Sequence, residues 1–388
     1  MKIAFYAPLS PPAGAASADH RDPSRYVMDA LARAGHAVEL VSDFRSYDDD
    51  GDPDRQQAQR DEGASLARML ASQWRSGKRG RRPDLWFTHH VYYKAPDWLG
   101  PLATDELGIP YVIAEASYAP KQAGGRWAMG HDATADAIRR ADIVFCPTRH
   151  DIICVEPLVF RRERVVRLHP VLDPTPYSRA AGMREEYRGA IAGTYGLDSA
   201  APWILVVSRM KTADKVASFR ALAAALANLG EIPWRLLVAG DGPARSGIES
   251  LVNAALPGRA CFLGELEFAE LAPVYAACDL YVWPAINETY GRTAYEAQAA
   301  GIAVVSCAPR GVPGSVADGQ TGLHVRPGDT EALTQAVRAL LLNPSHRLAM
   351  GGAAMDFIVA ERSIDAAAAR LGHALARFPG GAPAKARN

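Results

Sequence analysis

The sequence predicts an α/β protein made of two doubly wound parallel-sheet domains. Three observations predict it. The chain has 388 residues, 48% of them hydrophobic, more than one ordinary core organises and enough for two. Short apolar runs alternate with amphipathic helical segments along its length, the pattern of parallel strands joined by crossover helices. The alternation stops once, at H-P-V-L-D-P-T-P-Y (169–177), where three prolines within seven residues favour extended backbone.

Taken in order, the first half offers strands at Lys2–Ala7, Val38–Val41, Leu85–Thr88, Tyr111–Ala114, Ile143–Phe145 and Val165–Leu168. Helices fall at about Pro23–Ala34, stopped by Gly35, and at His131–Arg140. The second half offers strands at Trp203–Val207, Arg235–Ala239, Cys261–Leu263, Leu280–Val282 and Val304–Ser306, with helices between them. An alanine-rich helix at about Ser363–Phe378 comes last, and the P-G-G-A-P-A-K-A-R-N tail is read as disordered. The domain limits read as 1–178 and 179–365, with 366–388 as the closing helix and tail. Ligands of such sheets sit beyond the carboxyl ends of the strands, so two facing sheets would enclose a cleft.

Composition excludes several classes. Lys plus Arg equals Asp plus Glu at 43 each, so nothing draws the chain to nucleic acid. No run approaches 18 uninterrupted apolar residues, and the first apolar run breaks at Pro8. Neither a membrane span nor a signal peptide is read, and the expected location is the cytoplasm or the periphery of the membrane's inner face. The five cysteines show no C-x-x-C and read as reduced structural thiols. No G-x-G-x-x-G follows the first strand, which disfavours nicotinamide binding. D-D-D-G-D-P-D (48–54) imitates a calcium loop. With Gly51 at the sixth place, however, positions one and twelve fall on Ser46 and Gln57, so it reads as a solvated acidic loop. No zinc spacing exists, and no metal is expected.

The chemistry concentrates in N-E-T-Y-G-R-T-A-Y-E (287–296), where Glu288 and Glu296 stand eight residues apart. A strand leads into a loop with Gly291, and a helix begins. Unbonded backbone N–H groups and the helix dipole make such a turn an anion site. A nucleotide-sugar, with a diphosphate between two hydroxyl-rich ends, matches it. The run I-L-V-V-S-R-M-K-T-A-D-K (204–215) sets Arg209, Lys211 and Lys215 just beyond a buried strand, where cations can stabilise charge building on a leaving phosphate. A-G-D-G-P (239–243), with Gly242, closes another strand in a tight turn that is compatible with lining a ligand.

These segments, with R-G-V-P-G-S-V-A-D-G-Q-T-G-L-H-V (310–325), resemble the signature of retaining glycosyltransferases of family 4. That family has the GT-B fold, two Rossmann-like doubly wound parallel-sheet domains facing a central cleft. The likeness is close in the C-terminal half and looser before it. It implies a catalytic set of Glu288, Arg209 and Lys215, the glutamate positioning the sugar and the cations gripping the donor diphosphate. It implies that Gly291, Arg292 and Thr293 offer N–H groups to the phosphate and that Glu296 binds ribose hydroxyls. Gly242 and Tyr290, the latter in place of a common Phe, would line the donor. Residues 1–178 would bind the acceptor and 179–365 the donor, and the last helix would cross back to the N-terminal domain. The implied activity moves a sugar from a UDP- or GDP-sugar to a lipid, polysaccharide or small-molecule acceptor, forming an α-glycoside without cofactor or metal. Such transfer serves cell-envelope polysaccharide or glycolipid biosynthesis. The alternative is a catalytically inactive nucleotide-sugar-binding module acting with a partner.

The N-terminal half departs from the family pattern. A Gly-Gly pair is common after the first strand; here there is only Gly14, followed by the charged D-H-R-D-P-S-R (19–25). T-H-H-V-Y-Y-K-A-P (88–96) sets His89 and His90 at a strand end, where relatives often carry one His. A second family His, after the next strand, gives way to Glu115 or Ser117. Gly14, His89 and Glu115 are therefore the acceptor-side candidates. Two basic runs, R-S-G-K-R-G-R-R (75–82) and R-R-E-R-V-V-R (161–167), read either as solvated faces or as contacts for an anionic membrane.

Overall fold

The computed structural model describes residues 1–12, 22–211, 213–286, 291–307 and 315–378. The chain forms two compact units, one of Met1–Val171 with the chain from Ile364 onward, the other of Leu172–Ser363. The change of unit at Val171/Leu172 precedes the expected limit at 178. Leu172 donates its N–H to the Arg362 carbonyl at 2.9 Å, and Tyr177 is fully buried against Phe268 and Tyr275 of the second unit.

Unit 1 is built on a parallel sheet of β1 (Lys2–Tyr6), β2 (Ala37–Leu40), β3 (Leu85–Val91), β4 (Tyr111–Ala116), β5 (Ile143–Cys146) and β6 (Val165–Arg167). Their spatial order is β2-β1-β3-β4-β5-β6. Side chains alternate between the two faces, and on the inner strands β1, β3, β4 and β5 both faces are buried, which is why these read as continuous apolar runs. Ile3, Phe5, Leu85, Phe87, Val112, Ala114, Ile143 and Phe145 join one core with the helices Pro23–Arg33 and Ile364–Leu375. Ala4, Tyr6, Trp86, Tyr111, Ile113, Val144 and Cys146 join the other, under the helices Pro53–Arg75, Gly100–Leu107 and Ala128–Arg140.

Unit 2 repeats the plan with β7 (Trp203–Val207), β8 (Arg235–Ala239), β9 (Ala260–Gly264), β10 (Leu280–Trp283), β11 (Ala303–Cys307) and β12 (Gly322–Val325), ordered β12-β11-β10-β7-β8-β9 and parallel throughout. A partly buried charge cluster braces the amino ends of its strands. Asp279 accepts from the Trp203 N–H at 2.8 Å and pairs with Arg184 at 2.8 Å and Arg188 at 3.0 Å. The same guanidinium groups donate to the carbonyls of Ala276 and Ala277, at the end of the helix Phe268–Ala277, where positive charge complements the helix dipole.

The expected strands are all present, within a residue or two at most ends and three at β3. Several elements were not named from the sequence, among them a strand and the longest helix. The edge strand β12 lies in a stretch rich in turn residues, and Pro53–Arg75 is a 23-residue helix whose polar composition hides its period. The acidic loop before that helix is not simply solvated. Asp48 is buried and accepts from the N–H groups of Asp50 and Gly51 at 3.2 Å each, while Asp52 caps the helix through the N–H groups of Asp54 and Arg55. Among the described residues no helix is long and apolar enough to cross a membrane.

Candidate functional site

In unit 2 the winding reverses between β7 and β10. The chain builds outward from β7 through β8 and β9, then returns to place β10 on β7's other side. Loops beyond two such strands diverge and leave a crevice at their carboxyl ends, where doubly wound sheets bind ligands. Arg209 and Lys211 follow β7, and Lys215 lies in the first turn of the helix Ala213–Ala227. Gly291, Arg292 and Thr293 follow β10. The topology thus brings the expected cations and the expected N–H donors to one sheet edge.

Their settings differ. Arg209 is exposed, whereas Lys215 is half-buried, with Nζ 5.4 Å from the centre of the Trp283 ring. Burial pushes its ammonium below the ordinary lysine range, with Asp214 opposing. The helix start is fastened to the end of β10. Phe219 meets Trp283 edge-on at 5.2 Å, and Ser218 Oγ accepts from the Ile286 N–H at 3.1 Å. Lys215 is therefore a cation in a fixed place.

Gly291 caps the helix Arg292–Ala299 in a left-handed conformation, φ 61°. The first intrahelical bond runs from the Ala294 N–H to the Gly291 carbonyl at 2.9 Å, so the N–H groups of residues 291–293 lie outside the helical ladder. Two buried tyrosines hold this turn from below. Tyr281 Oη lies 2.6 Å from Thr293 Oγ1, and Tyr275 Oη lies 3.2 Å from the Thr293 carbonyl and 2.9 Å from Glu296 Oε2. Glu296 is fully buried. Burial, reinforced by this carboxylate, raises the Tyr275 phenol well above its ordinary range, so it stays a donor.

Gly242 has a packing reason as well as an expected ligand. With φ 152°, a Cβ on it would sit 2.7 Å from the Met210 carbonyl oxygen; at Gly240, φ 122°, one would sit 2.0 Å from that of Ser208. The two glycines let the loops after β7 and β8 zip together. Met210 donates to the Asp241 carbonyl at 2.9 Å, and Ala244 donates to that of Met210 at 2.8 Å. The zip fixes the backbone on which Arg209 stands.

In unit 1 the reversal lies between β1 and β3. At this edge the structure joins His89 and Glu115 and adds His90. Strand alternation puts His89 on the face of the helix Pro23–Arg33, where its Nδ1 lies 2.9 Å from Ser24 Oγ. Glu115 Oε1 is 3.7 Å from His89 Nε2, and Oε2 is 3.3 Å from His90 Nδ1. Burial alone would raise the Glu115 pKa, yet the two imidazoles hold the carboxyl far below the usual range. His90 and Glu115 both have left-handed backbones, φ 64° and 56°, a strain that concentrates at working sites.

Gly14, Glu288 and Tyr290 lie outside the described residues, as do 19–21 of the charged loop and 310–314 of the glycine-rich stretch. Sequence reasoning missed Ser24, Tyr275, Tyr281 and Trp283. The last three look like ordinary core aromatics until the neighbouring helix start is placed. His90 was visible in the H-H pair, but only the backbone turn at β3's end shows both rings meeting one carboxylate.

Residues 201–343 match the family described as "Glycosyl transferases group 1". A D-inositol 3-phosphate glycosyltransferase of Corynebacterium aurimucosum is 41% identical over 95 residues, 24% of this chain and 23% of that protein. Two further enzymes of that name match over 32% of their own length, so the chain spans a third or less of these relatives. The 2-deoxystreptamine glucosyltransferase of Streptomyces kanamyceticus is 28% identical over 291 residues, 72% of this chain and 73% of that protein. Among solved structures, the Anabaena HepE protein in complex with UDP superposes with a TM-score of 0.72 at 17% identity, covering 97% of this chain and 100% of that one. The likeness shows the fold: a two-domain α/β protein of the GT-B type.

Proposed function

We propose that the chain is a retaining glycosyltransferase of family 4. It would take a sugar from a UDP- or GDP-sugar and place it on an acceptor hydroxyl as an α-glycoside. The observation that carries this reading is the unit 2 crevice, where Arg209, the fixed Lys215 and the N–H groups of residues 291–293 meet at one switch point. In the reaction the bond from the anomeric carbon to the phosphate oxygen breaks and a bond to the acceptor oxygen forms. The acceptor proton passes to the leaving phosphate. Charge grows on the diphosphate as that bond breaks, so preorganised cations and N–H dipoles lower the barrier without a metal. HepE's complexes with UDP and with UDP-glucose favour a UDP donor.

The acceptor edge in this reading is unit 1, with Glu115 as hydrogen-bond acceptor for a hydroxyl and the His89–His90 pair holding it ionised. The relatives' names point to cyclitol acceptors, inositol phosphate in one and deoxystreptamine in the other. Of the expected acceptor classes, a small polyhydroxylated ring therefore has the most support. The test is calorimetric titration with UDP, GDP, ADP and CMP, followed by UDP-glucose turnover with inositol, inositol phosphate and deoxystreptamine. Binding of UDP or GDP with product formation supports the reading. Tight nucleotide binding without turnover on any acceptor favours the inactive-module alternative, and no nucleotide binding overturns both.

A further inference from the structure

The connection from β5 to the edge strand β6 carries a feature that sugar transfer does not use. It runs through the helix Arg149–Val155 and the short turns Glu156–Leu158 and Arg162–Arg164. Phe160, between the two turns, is 89% exposed, the highest value among the exposed large hydrophobic side chains described. Ile153, on the helix before it, is 59% exposed. Arginines flank the aromatic ring. Arg149, Arg161 and Arg162 are exposed and Arg164 is half-buried, against the carboxylates of Glu156 and Glu163; Asp151 is buried and turned inward. Since β6 ends the sheet, the segment lies at the unit's outer edge.

We propose that this segment is a membrane hook, with Phe160 entering the interface of an anionic lipid bilayer and the arginines resting on its headgroups. A lone protruding ring is a poor core for a protein interface, which needs a broad complementary patch. It suits a lipid interface, which closes around any apolar side chain and attracts flanking cations. Both basic runs carry ion pairs, Arg162 with Glu156 at 2.7 Å and Arg161 with Glu163 at 3.8 Å here, Arg75 with Glu106 at 2.6 Å and Arg81 with Asp84 at 2.8 Å in 75–82; the exposed ring is what sets 149–164 apart. Weak, reversible attachment is expected, because a single ring and a few arginines fall short of stable anchoring.

The experiment is co-sedimentation of the full chain with vesicles of phosphatidylglycerol and phosphatidylcholine, or of phosphatidylcholine alone. The wild type should bind the anionic vesicles, and binding should fall as salt is raised. Phe160→Ser should weaken it on the order of tenfold, the scale of withdrawing one aromatic side chain from an apolar phase. Arg161→Ala with Arg164→Ala should weaken it several-fold, and Arg75→Ala with Arg82→Ala should leave it unchanged. Nucleotide affinity, measured alongside, should not move in Phe160→Ser, which shows that the variant is folded and separates this test from that of the transferase reading. Absence of wild-type binding to anionic vesicles, or equal binding by Phe160→Ser, overturns the proposal.

Discussion

Arg209 and Lys215 differ in setting, and under the proposed function the difference gives them different work. An exposed guanidinium can swing to meet a diphosphate bidentately, while the lysine beside Trp283 waits as a fixed point charge. Arg209→Ala should therefore weaken UDP or GDP binding about 10- to 100-fold, the scale of a lost charge-assisted hydrogen bond; titration calorimetry reads this directly, and equal affinity refutes the role. Glu288→Ala should abolish transfer while leaving nucleotide affinity within a few-fold, since its expected contact is with the sugar. Unchanged turnover in that variant would remove it from the catalytic set. Glu115 gives a pH prediction. Its carboxyl titrates below the ordinary 4.5 in the folded state, so the unfolded chain binds the proton first. The stability it contributes is complete above about pH 5 and drains away as pH falls toward the folded-state value. Glu115→Gln should flatten the acid limb of the stability curve, measured by urea unfolding at a series of pH values. The sequence placed Arg209, Lys215 and His89 because strand ends are legible from apolar runs. It did not show that Glu115 sits between two histidines, because that contact depends on two left-handed residues in different strands.

At the scale of elements, the turn after β10 and the zipped loops after β7 and β8 carry the proposed donor edge. Tyr281→Phe removes the hydroxyl 2.6 Å from Thr293 Oγ1 and should cost about 1 kcal/mol in stability by denaturant unfolding. Gly242→Ala is more severe. It strains a backbone at φ 152° and drives a methyl group toward the Met210 carbonyl, so a loss of about 2–3 kcal/mol is expected, together with weaker nucleotide binding as the Arg209 loop shifts. A thermal melt that matches wild type would show that the loops open without cost. Glycines at these places could be read from the sequence as turn formers. Their second reason, the close approach of two loops, needed the strand order β10-β7-β8, which apolar periodicity does not encode.

For the whole molecule, the limits of the two units follow burial rather than chain order. Ile364, Leu371 and Leu375 of the last long helix are buried in the core of the first unit. The sequence announced two sheets through the proline-rich break, and it showed the final helix through its alanine-rich period. Neither signal fixes where the chain changes unit, because the bond from Leu172 to Arg362 joins residues far apart in sequence.

That returning helix also dictates an order of events during synthesis. Residues 172–363 contain everything unit 2 needs and can close as they emerge, whereas the first sheet waits, with the face bearing Phe5, Phe87 and Phe145 incompletely covered, until residue 375 leaves the ribosome. At about 5–20 residues per second the wait lasts on the order of 10–40 s, long enough for a bare aromatic face to attract chaperones or another nascent chain. A released chain ending at residue 363 should therefore be cut by protease in unit 1 and resist it in unit 2; equal resistance would mean that the first sheet closes without its last helix.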